Sequence, residues 1–207
     1  MFRFENQARR KGFRLIIGID EAGRGPLAGP VVACAVCLKK RKFRSKICDS
    51  KKINSSQREK AFHEILQNAY LGVGMMNESI IDTENILQAT FRAMTQAVHE
   101  LIARLPSDEK NRSDFDRDVC LLVDGNSFKT DLPYCYKTIV DGDNLSTSIA
   151  CASIVAKVTR DRILHIYDRV YPQYGFKQHK GYPTRAHRAA IKAHGLSLIH
   201  RKTFRQL

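Results

Sequence analysis

Residues 14–38, RLIIGIDEAGRGPLAGPVVACAVCL, constrain the fold more than any other stretch of this 207-residue chain. Two apolar runs with strand-like composition flank a turn that contains three glycines and two prolines. Such a turn cannot be the interior of a helix, so the segment predicts an outgoing and a returning strand. The first run ends in two adjacent acids, Asp20 and Glu21, a residue type that is rarely buried without a partner.

The remainder of the chain alternates strand-like apolar runs with amphipathic helical patterns. This order predicts an α/β fold with a mixed sheet flanked by helices, antiparallel at one side and parallel at the other. The predicted elements after the first two strands are a helix with a Ser56–Glu59 capping box, a strand at YLGVGMM, a helix starting near Thr83, strands ending at Asp124 and near Asp143, a long helix from Ser146 to about Tyr171 and a short basic helix from Thr184 to His194.

Four carboxylates share one feature, because each follows a predicted strand and precedes a glycine or turn residue. They are Asp20, Glu21, Asp124 and Asp143. Functional groups of α/β sheets gather at the carboxyl ends of strands, so these acids are expected to converge. About four converging negative charges would raise one another's pKa unless cations compensate them. An all-oxygen donor set without His or Cys favours two Mg²⁺ or Mn²⁺ ions, the arrangement of two-metal phosphodiester chemistry.

Simpler interpretations remain open for each acid. Asp124-Gly-Asn and Asp141-Gly-Asp143 are good turn sequences, and an aspartate before glycine is usually only a turn residue. Successive strand residues point to opposite faces, so Asp20 and Glu21 can serve one site only if the strand bulges or ends there. A dinucleotide-binding fingerprint is formally present after the first strand. It fails because prolines and a β-branched run follow where that fingerprint needs a helix.

The formal net charge of +14 predicts attraction to a polyanion such as nucleic acid. The positive charge is concentrated in three segments, at residues 1–15, 39–52 and 171–207. A solvated basic surface would explain any one of these segments. All three together, with eight basic residues and no acidic residue in 171–207, favour a polyanion partner.

The six cysteines show no zinc-finger spacing, and four of them lie in apolar runs. They are predicted to be free thiols in a reducing, cytoplasmic setting. The sequence contains neither a recognisable signal peptide nor an apolar run long enough to span a membrane, so no membrane association is expected.

Several motifs together resemble bacterial ribonuclease HII, a type 2 ribonuclease H. They are GIDEAGRGPLAGPVV, DSKK, VDGN, ASIVAKVTRD, YPQYGFKQHKGYPT and HRKTF, in the order of that family from about residue 14 to the end of the chain. The resemblance implies a ribonuclease H-like fold with a C-terminal helical extension. It also implies an endoribonuclease that hydrolyses the RNA strand of RNA–DNA hybrids and cuts 5′ of ribonucleotides embedded in duplex DNA, leaving 3′-hydroxyl and 5′-phosphate ends.

The resemblance also assigns residues. It implies that Asp20, Glu21, Asp124 and Asp143 are the catalytic and metal-binding acids. Asp141 stands where relatives often have lysine and is a departure from the family pattern, as is Cys48 before DSKK.

The same resemblance implies that the turn of Gly23, Arg24 and Gly25 reads the ribose 2′-hydroxyl. Glycine lets backbone groups approach the sugar, and this hydroxyl is what separates RNA from DNA. Tyr182 resembles the residue that packs on the deoxyribose 3′ of the ribonucleotide, and Lys51 with the basic C-terminal residues is expected to hold phosphates.

We therefore expect one domain over 1–207, made of a ribonuclease H-like core at 1–170 and a basic helical extension at 171–207. No protein partner is evident in the sequence, and a monomer is the default expectation. The alternative function is a hybrid-binding protein on the same fold without catalysis. Such a binder would have no physical reason to keep four mutually repelling carboxylates, so the enzyme is favoured.

Overall fold

A computed structural model describes residues 1–205 and contains a five-stranded mixed sheet. The strands are β1 (Leu15–Ala22), β2 (Val31–Leu38), β3 (Ala69–Met76), β4 (Val119–Asp124) and β5 (Cys135–Ile139). They lie side by side in the order β3-β2-β1-β4-β5. β2 is antiparallel to β1 and β3, whereas β4 is parallel to β1 and β5. The predicted mixed sheet, antiparallel at one side and parallel at the other, is confirmed.

Helices surround this sheet and continue beyond it at the C-terminal end. They are α1 (Arg3–Arg10), α2 (Ser55–Asn68), α3 (Glu78–Glu84), α4 (Ile86–Ala103), α5 (Ser107–Lys110), α6 (Phe115–Asp118), α7 (Gly142–Leu145), α8 (Thr147–Val170), α9 (Phe176–His179) and α10 (Arg185–His194), with a 3₁₀ turn at Pro172–Tyr174.

The central strands β1, β2 and β4 are buried on both faces. Helix α4 packs on β2 and β3 on one face, and α8 packs on β1 and β2 on the other. The approach of α4 is so close that a Cβ on Gly72 would lie 2.2 Å from the carbonyl oxygen of Ala97, and one on Gly74 would lie 2.0 Å from that of Ala93. These two glycines therefore allow a helix backbone to rest directly on a strand.

Two helix starts differ from their predicted positions. Asn54, rather than Ser56, caps α2: its side chain accepts from the backbone N–H of Gln57, whose side chain accepts from the N–H of Asn54. The helix predicted to start near Thr83 corresponds to α4, which starts at Ile86. The short helix α3 that precedes it is not predicted, and Asn85 separates the two. Asn85 has a positive φ of 71°, and its side chain caps the start of α4.

The C-terminal helices pack against the second half of α8. Leu27, Leu164, Tyr174, Phe176 and Ile191 belong to one buried apolar cluster that joins them to the glycine-rich turn. The predicted helix from Thr184 to His194 is confirmed as α10, with Thr184 as its N-cap and Gly195 as its C-cap. This packing brings the last part of the chain to the carboxyl end of β1.

The free thiols are confirmed within residues 1–205: none of the six cysteines is paired, and Cys34, Cys37, Cys120 and Cys151 are buried. In the same part of the chain, no helix combines the length and the apolar character needed to cross a bilayer.

Candidate active site

The end of the β1–β4 ladder creates the acidic site. The parallel pairing stops at Ile19 and Val123, so Asp20 and Asp124 are the next residues on the two strands. On its other side, β1 remains paired with β2 without interruption through Asp20 and Glu21 to Ala22. The pairing with β2 thus passes through these acids without a bulge, and β1 ends at Ala22, one residue after Glu21. The two acids lie beside the gap that opens where β4 ends.

Asp20 is buried, and its Oδ1 accepts a hydrogen bond of 2.7 Å from the backbone N–H of Glu21. Glu21 is paired with the guanidinium of Arg24, with an Nη1–Oε1 distance of 3.4 Å. Burial, the neighbouring Glu21 and Asp124 raise the pKa of Asp20 well above its usual range. Burial and Asp124 also raise the pKa of Glu21, against the opposing effect of Arg24. Asp20, Glu21 and Asp124 therefore form one electrostatically coupled group.

Asp124 and Asp143 meet through the turn between β5 and α7. The backbone N–H of Gly142 donates to Oδ1 of Asp124 over 2.8 Å. A strand ending near Asp143 was predicted, but β5 ends at Ile139 and Asp143 lies in the single turn of α7. The reason is the left-handed conformation of Asp141, with φ of 54°, which turns the chain out of the sheet. Asp143 still faces Asp124, and burial followed by Asp49 and Asp124 raises its pKa to about 6.

Asp49 is a fifth carboxylate of this site, which the sequence interpretation missed. It is buried, its Oδ1 accepts from the backbone N–H of Lys51 over 2.9 Å, and it lies close enough to Asp143 to raise the pKa of that carboxyl. It is the first residue of the DSKK motif, which was the available signal. Burial lowers the pKa of Lys51 of the same motif, but the charges of Asp49, Asp143, Asp20 and Asp124 together outweigh that effect and raise it. The structure therefore places Lys51 among the acids.

The donor chemistry of the site fits a hard divalent cation. Its side chains offer carboxylate oxygens, the ligands that Mg²⁺ and Mn²⁺ favour. Burial raises the pKa of all four acids, and neighbouring acids raise it further for Asp20, Glu21 and Asp143, so a bound cation would stabilise their charged forms. Within residues 1–205, however, no three such side chains are already drawn together closely enough to hold an ion. The suitability of the site for a divalent cation therefore rests on the type of its donor atoms and on their charge.

The glycine-rich turn lies beside the acids. Gly23 has φ of +102°, and a Cβ there would lie 2.1 Å from Nε of Arg160, so only glycine fits. A Cβ on Gly25 would lie 3.9 Å from Cε1 of Tyr182, which places the tyrosine ring next to the turn. Tyr182 is 43% exposed, so its ring is open to a ligand. The turn therefore follows Glu21 directly along the chain and has the Tyr182 ring against it.

A family model described as Ribonuclease HII matches residues 17–207. The chain belongs to the ribonuclease HII family. It is accordingly an enzyme, a metal-dependent endoribonuclease of the ribonuclease H type.

Curated relatives agree over nearly the whole chain. The ribonuclease HII of Syntrophus aciditrophicus is 50% identical over 206 residues, an alignment that covers 99% of this chain and 91% of that protein. The ribonuclease HII of Geobacter sulfurreducens is 50% identical over 203 residues, covering 98% of this chain and 87% of that protein.

Solved structures show the same fold at low sequence identity. The ribonuclease HII of Archaeoglobus fulgidus, determined in complex with PCNA, has a TM-score of 0.71 at 21% identity and covers 93% of this chain and 96% of its own. The Bst-RNase HIII structure in complex with Mn²⁺ has a TM-score of 0.65 at 15% identity, with coverage of 96% of this chain and 70% of its own. The ribonuclease H-like fold inferred from the motifs is confirmed.

Proposed function

We propose that this enzyme hydrolyses the RNA strand of RNA–DNA hybrids and also cuts duplex DNA on the 5′ side of an embedded ribonucleotide. One observation supports this proposal above all: the carboxylates adjoin a glycine-rich turn and an open tyrosine ring on one surface. The acids provide a place for phosphodiester chemistry, and the turn and ring provide a place to recognise the sugar.

The proposed reaction is the hydrolysis of one phosphodiester bond. A water oxygen bonds to the phosphorus that precedes the ribonucleotide, and the bond from phosphorus to the upstream 3′-oxygen breaks. The upstream strand keeps a 3′-hydroxyl, and the ribonucleotide keeps a 5′-phosphate. The chemistry that two Mg²⁺ or Mn²⁺ ions supply when bound is Lewis-acid activation of the water and stabilisation of the leaving oxygen.

Asp20, Glu21, Asp124 and Asp143 are the residues we assign to hold these ions. The chain prepares their positions through contacts that do not depend on an ion. Gly142 orients the Asp124 carboxylate, Arg24 holds Glu21, and the β1–β2 ladder fixes Asp20. We assign Lys51 to offset part of the negative charge of this acidic region and to contact a phosphate of the bound strand.

Recognition of the ribonucleotide is assigned to the turn and the ring beside it. The backbone of Gly23, Arg24 and Gly25 reads the 2′-hydroxyl. No Cβ at Gly25 stands between the turn and a sugar, and the lack of a Cβ at Gly23 lets the turn lie against Arg160. Tyr182 packs on the deoxyribose that follows the ribonucleotide. The expectations of a monomer without a protein partner remain predictions.

Substitution of Asp124 tests the assignment of the acids. Asp124→Asn keeps the shape of the side chain and its contact with Gly142 but removes a charge that an ion needs. We expect cleavage of an RNA–DNA hybrid to fall by at least about a thousandfold while hybrid affinity changes little. The matched control is Asp141→Asn. Residue 141 is exposed and has a left-handed backbone conformation, which asparagine tolerates well.

The control variant is expected to cleave at the wild-type rate. Cleavage by Asp124→Asn within a few-fold of wild type would contradict the assignment of the acids. An equal loss in Asp141→Asn would mean that any loss of charge at this end of the sheet has the same effect.

A further inference from the structure

Two chain segments form the proposed sugar-binding surface, and they come from distant parts of the sequence. The first is the glycine-rich turn at 23–30, and the second is the segment at 180–182. Between them lies the side chain of Arg160, which projects from α8 and is only 1% exposed. The sequence interpretation gave Arg160 no role, although it lies in the ASIVAKVTRD motif.

Arg160 donates hydrogen bonds to both segments at once. Its Nε donates to the carbonyl oxygen of Pro30 over 3.0 Å, and its Nη2 donates to that of Ala28 over 3.0 Å. Its Nη1 donates to the carbonyl oxygen of Lys180 over 2.9 Å. A planar guanidinium fork can hold three carbonyls in fixed directions, which the single ammonium of lysine cannot do.

Backbone contacts show how little room separates the two segments. The N–H of Leu27 donates to the carbonyl oxygen of Gly181 over 2.8 Å. A Cβ on Gly181 would lie 2.5 Å from the carbonyl oxygen of Ala28, and Gly181 has φ of +80°. On the other side of the turn, Gly23 lies directly against the Arg160 guanidinium. A change in the position of this guanidinium must therefore move the turn, the tyrosine segment or both.

A second buried arginine, Arg201, clarifies what is special about Arg160. The guanidinium of Arg201 donates to the carbonyls of Gly23, Arg24, Pro26 and Gly29, which all belong to the turn. These contacts of Arg201 fix the shape of the turn. The contacts of Arg160 fix the spacing between the turn and the segment that ends in Tyr182.

Burying a guanidinium between two loops costs free energy, because burial disfavours its charged form. Burial lowers the pKa of Arg160 to about 10. The group stays charged at neutral pH. An apolar side chain of similar volume would pack between the two segments equally well. The three directed hydrogen bonds are what an apolar side chain would lose.

We propose that Arg160 is a positioning residue for ribonucleotide recognition, which sets the distance between the 2′-hydroxyl-reading turn and the Tyr182 ring. The inference rests on the proposed function, because it assigns Arg160 a part in the same sugar-binding surface. A nucleotide is then recognised as a ribonucleotide only when the turn contacts it and the Tyr182 ring contacts the next nucleotide at the same time. Small errors in such spacing are known to be costly for oriented groups.

The test measures binding rather than cleavage, in a parent protein that carries Asp124→Asn, with Mg²⁺ present. The dissociation constant is measured for a DNA duplex with one ribonucleotide and for the same duplex made only of DNA. The ratio of the two constants is the readout. We expect Arg160→Met to weaken the preference for the ribonucleotide-containing duplex by about tenfold or more, so that the ratio moves toward one. The affinity for the all-DNA duplex is expected to change little.

Two variants frame this result. Arg160→Lys keeps the charge and is expected to lose most of the preference as well, because it cannot hold three carbonyls. Arg169→Met removes an exposed positive charge from the last turn of the same helix and is expected to keep the parent ratio. An unchanged ratio in Arg160→Met overturns the inference about Arg160 alone. No preference in the parent overturns the recognition part of the proposed function, and this inference with it.

Gly181→Ala changes the same spacing from the side of the tyrosine segment. It tests the inference even if the Arg160 variants do not fold. Its control is Gly12→Ala, because both glycines have positive φ but only a Cβ on Gly181 would strike the turn. We expect the ribonucleotide preference to fall in Gly181→Ala and to persist in Gly12→Ala, with thermal unfolding measured for both. Equal preferences in two folded variants would overturn the inference.

Discussion

At the scale of single residues, the acidic site opposes the stability of the metal-free enzyme. Asp143 illustrates this, because its pKa is raised to about 6 by burial and by the acids around it. A carboxyl group whose pKa is higher in the folded protein binds its proton more tightly there than in the unfolded chain. Its contribution to stability is therefore greatest at acidic pH and declines as the pH rises through about 4 to 6. At pH 7 the repulsion is fully present.

We therefore expect Asp143→Asn to raise the melting temperature of the metal-free enzyme at pH 7. The amide removes one charge and can donate a hydrogen bond to Asp49. Each kcal/mol gained corresponds to about 2–4 °C for a chain of this size. Thermal unfolding in EDTA measures the effect, with Asp141→Asn as the exposed control. Addition of Mg²⁺ or Mn²⁺ is expected to stabilise wild type more than Asp143→Asn, and a lower melting temperature of Asp143→Asn in EDTA would contradict the account.

The sequence identified four of the acids because each one interrupts or follows an apolar run. Asp49 could not be found in this way, since it lies in a basic loop where the lysines dominate the pattern. Its role depends on contact with Asp143, 94 positions away, and only the folded loop brings the two together. Arg160 was missed for a related reason, because a charged residue on a helix looks like surface until the turn is seen to cover it.

At the scale of elements, a histidine network supports the segment that presents Tyr182. The backbone N–H of Ser197 donates to Nδ1 of His200 over 2.9 Å, and Nε2 of His200 lies 3.1 Å from Nε2 of His187. Nδ1 of His187 in turn lies 2.9 Å from the carbonyl oxygen of Tyr182. These partners are satisfied when both rings are neutral, with His200 protonated at Nε2 and His187 at Nδ1.

This network predicts a loss of stability in mild acid. Burial lowers the pKa of His187, and burial with His187 nearby lowers that of His200 to about 4. A histidine with a lowered pKa stabilises the fold above its usual pKa of about 6.5, and this stability is lost as the pH falls toward 4. We expect the melting temperature to fall more steeply between pH 7 and pH 4.5 in wild type than in His200→Asn.

The comparison of the two curves isolates the histidines, because other groups that titrate in this range contribute to both. The amide oxygen of His200→Asn can still accept from Ser197, so the variant is expected to fold. Parallel curves for wild type and variant would contradict the assignment of neutral rings.

The strands, α8 and α10 could be predicted because their apolar periodicity and caps are local features. The division at Asn85 and the one-turn helix at Asp143 could not, because each depends on a single non-glycine residue with positive φ. Such conformations are uncommon, and the polar residues at both places indicate a turn without specifying where a helix begins or ends.

At the scale of the whole molecule, the charge distribution predicts how the enzyme holds a duplex. Net charge of +14 attracts a polyanion, and the basic segment 39–52 leads from the far end of β2 to Asp49 and Lys51 at the site. Neutralised phosphates release counterions, so duplex affinity should fall steeply with salt. The acidic site itself contributes little to this affinity until cations compensate it.

The double variant Lys42→Gln, Lys46→Gln removes two exposed charges from this segment. We expect it to lower duplex affinity at low salt and to reduce the slope of log affinity against log salt by up to about 2. Binding titrations of an all-DNA duplex at several salt concentrations provide the slope. The control, Arg112→Gln with Arg117→Gln, removes the same charge from the surface at 106–118 and is expected to change the slope less. Equal slopes in the two variants would show that net charge alone matters.

The most direct measurement uses a DNA duplex with one ribonucleotide, labelled at the 5′ end of that strand. The enzyme is incubated with it in Mg²⁺, in Mn²⁺ and in EDTA. We predict a single cut immediately 5′ of the ribonucleotide, with a 3′-hydroxyl on the labelled fragment, in at least one metal and none in EDTA. Binding without a cut in either metal, or cuts that ignore the ribonucleotide, would contradict the proposal that these acids and this turn act together.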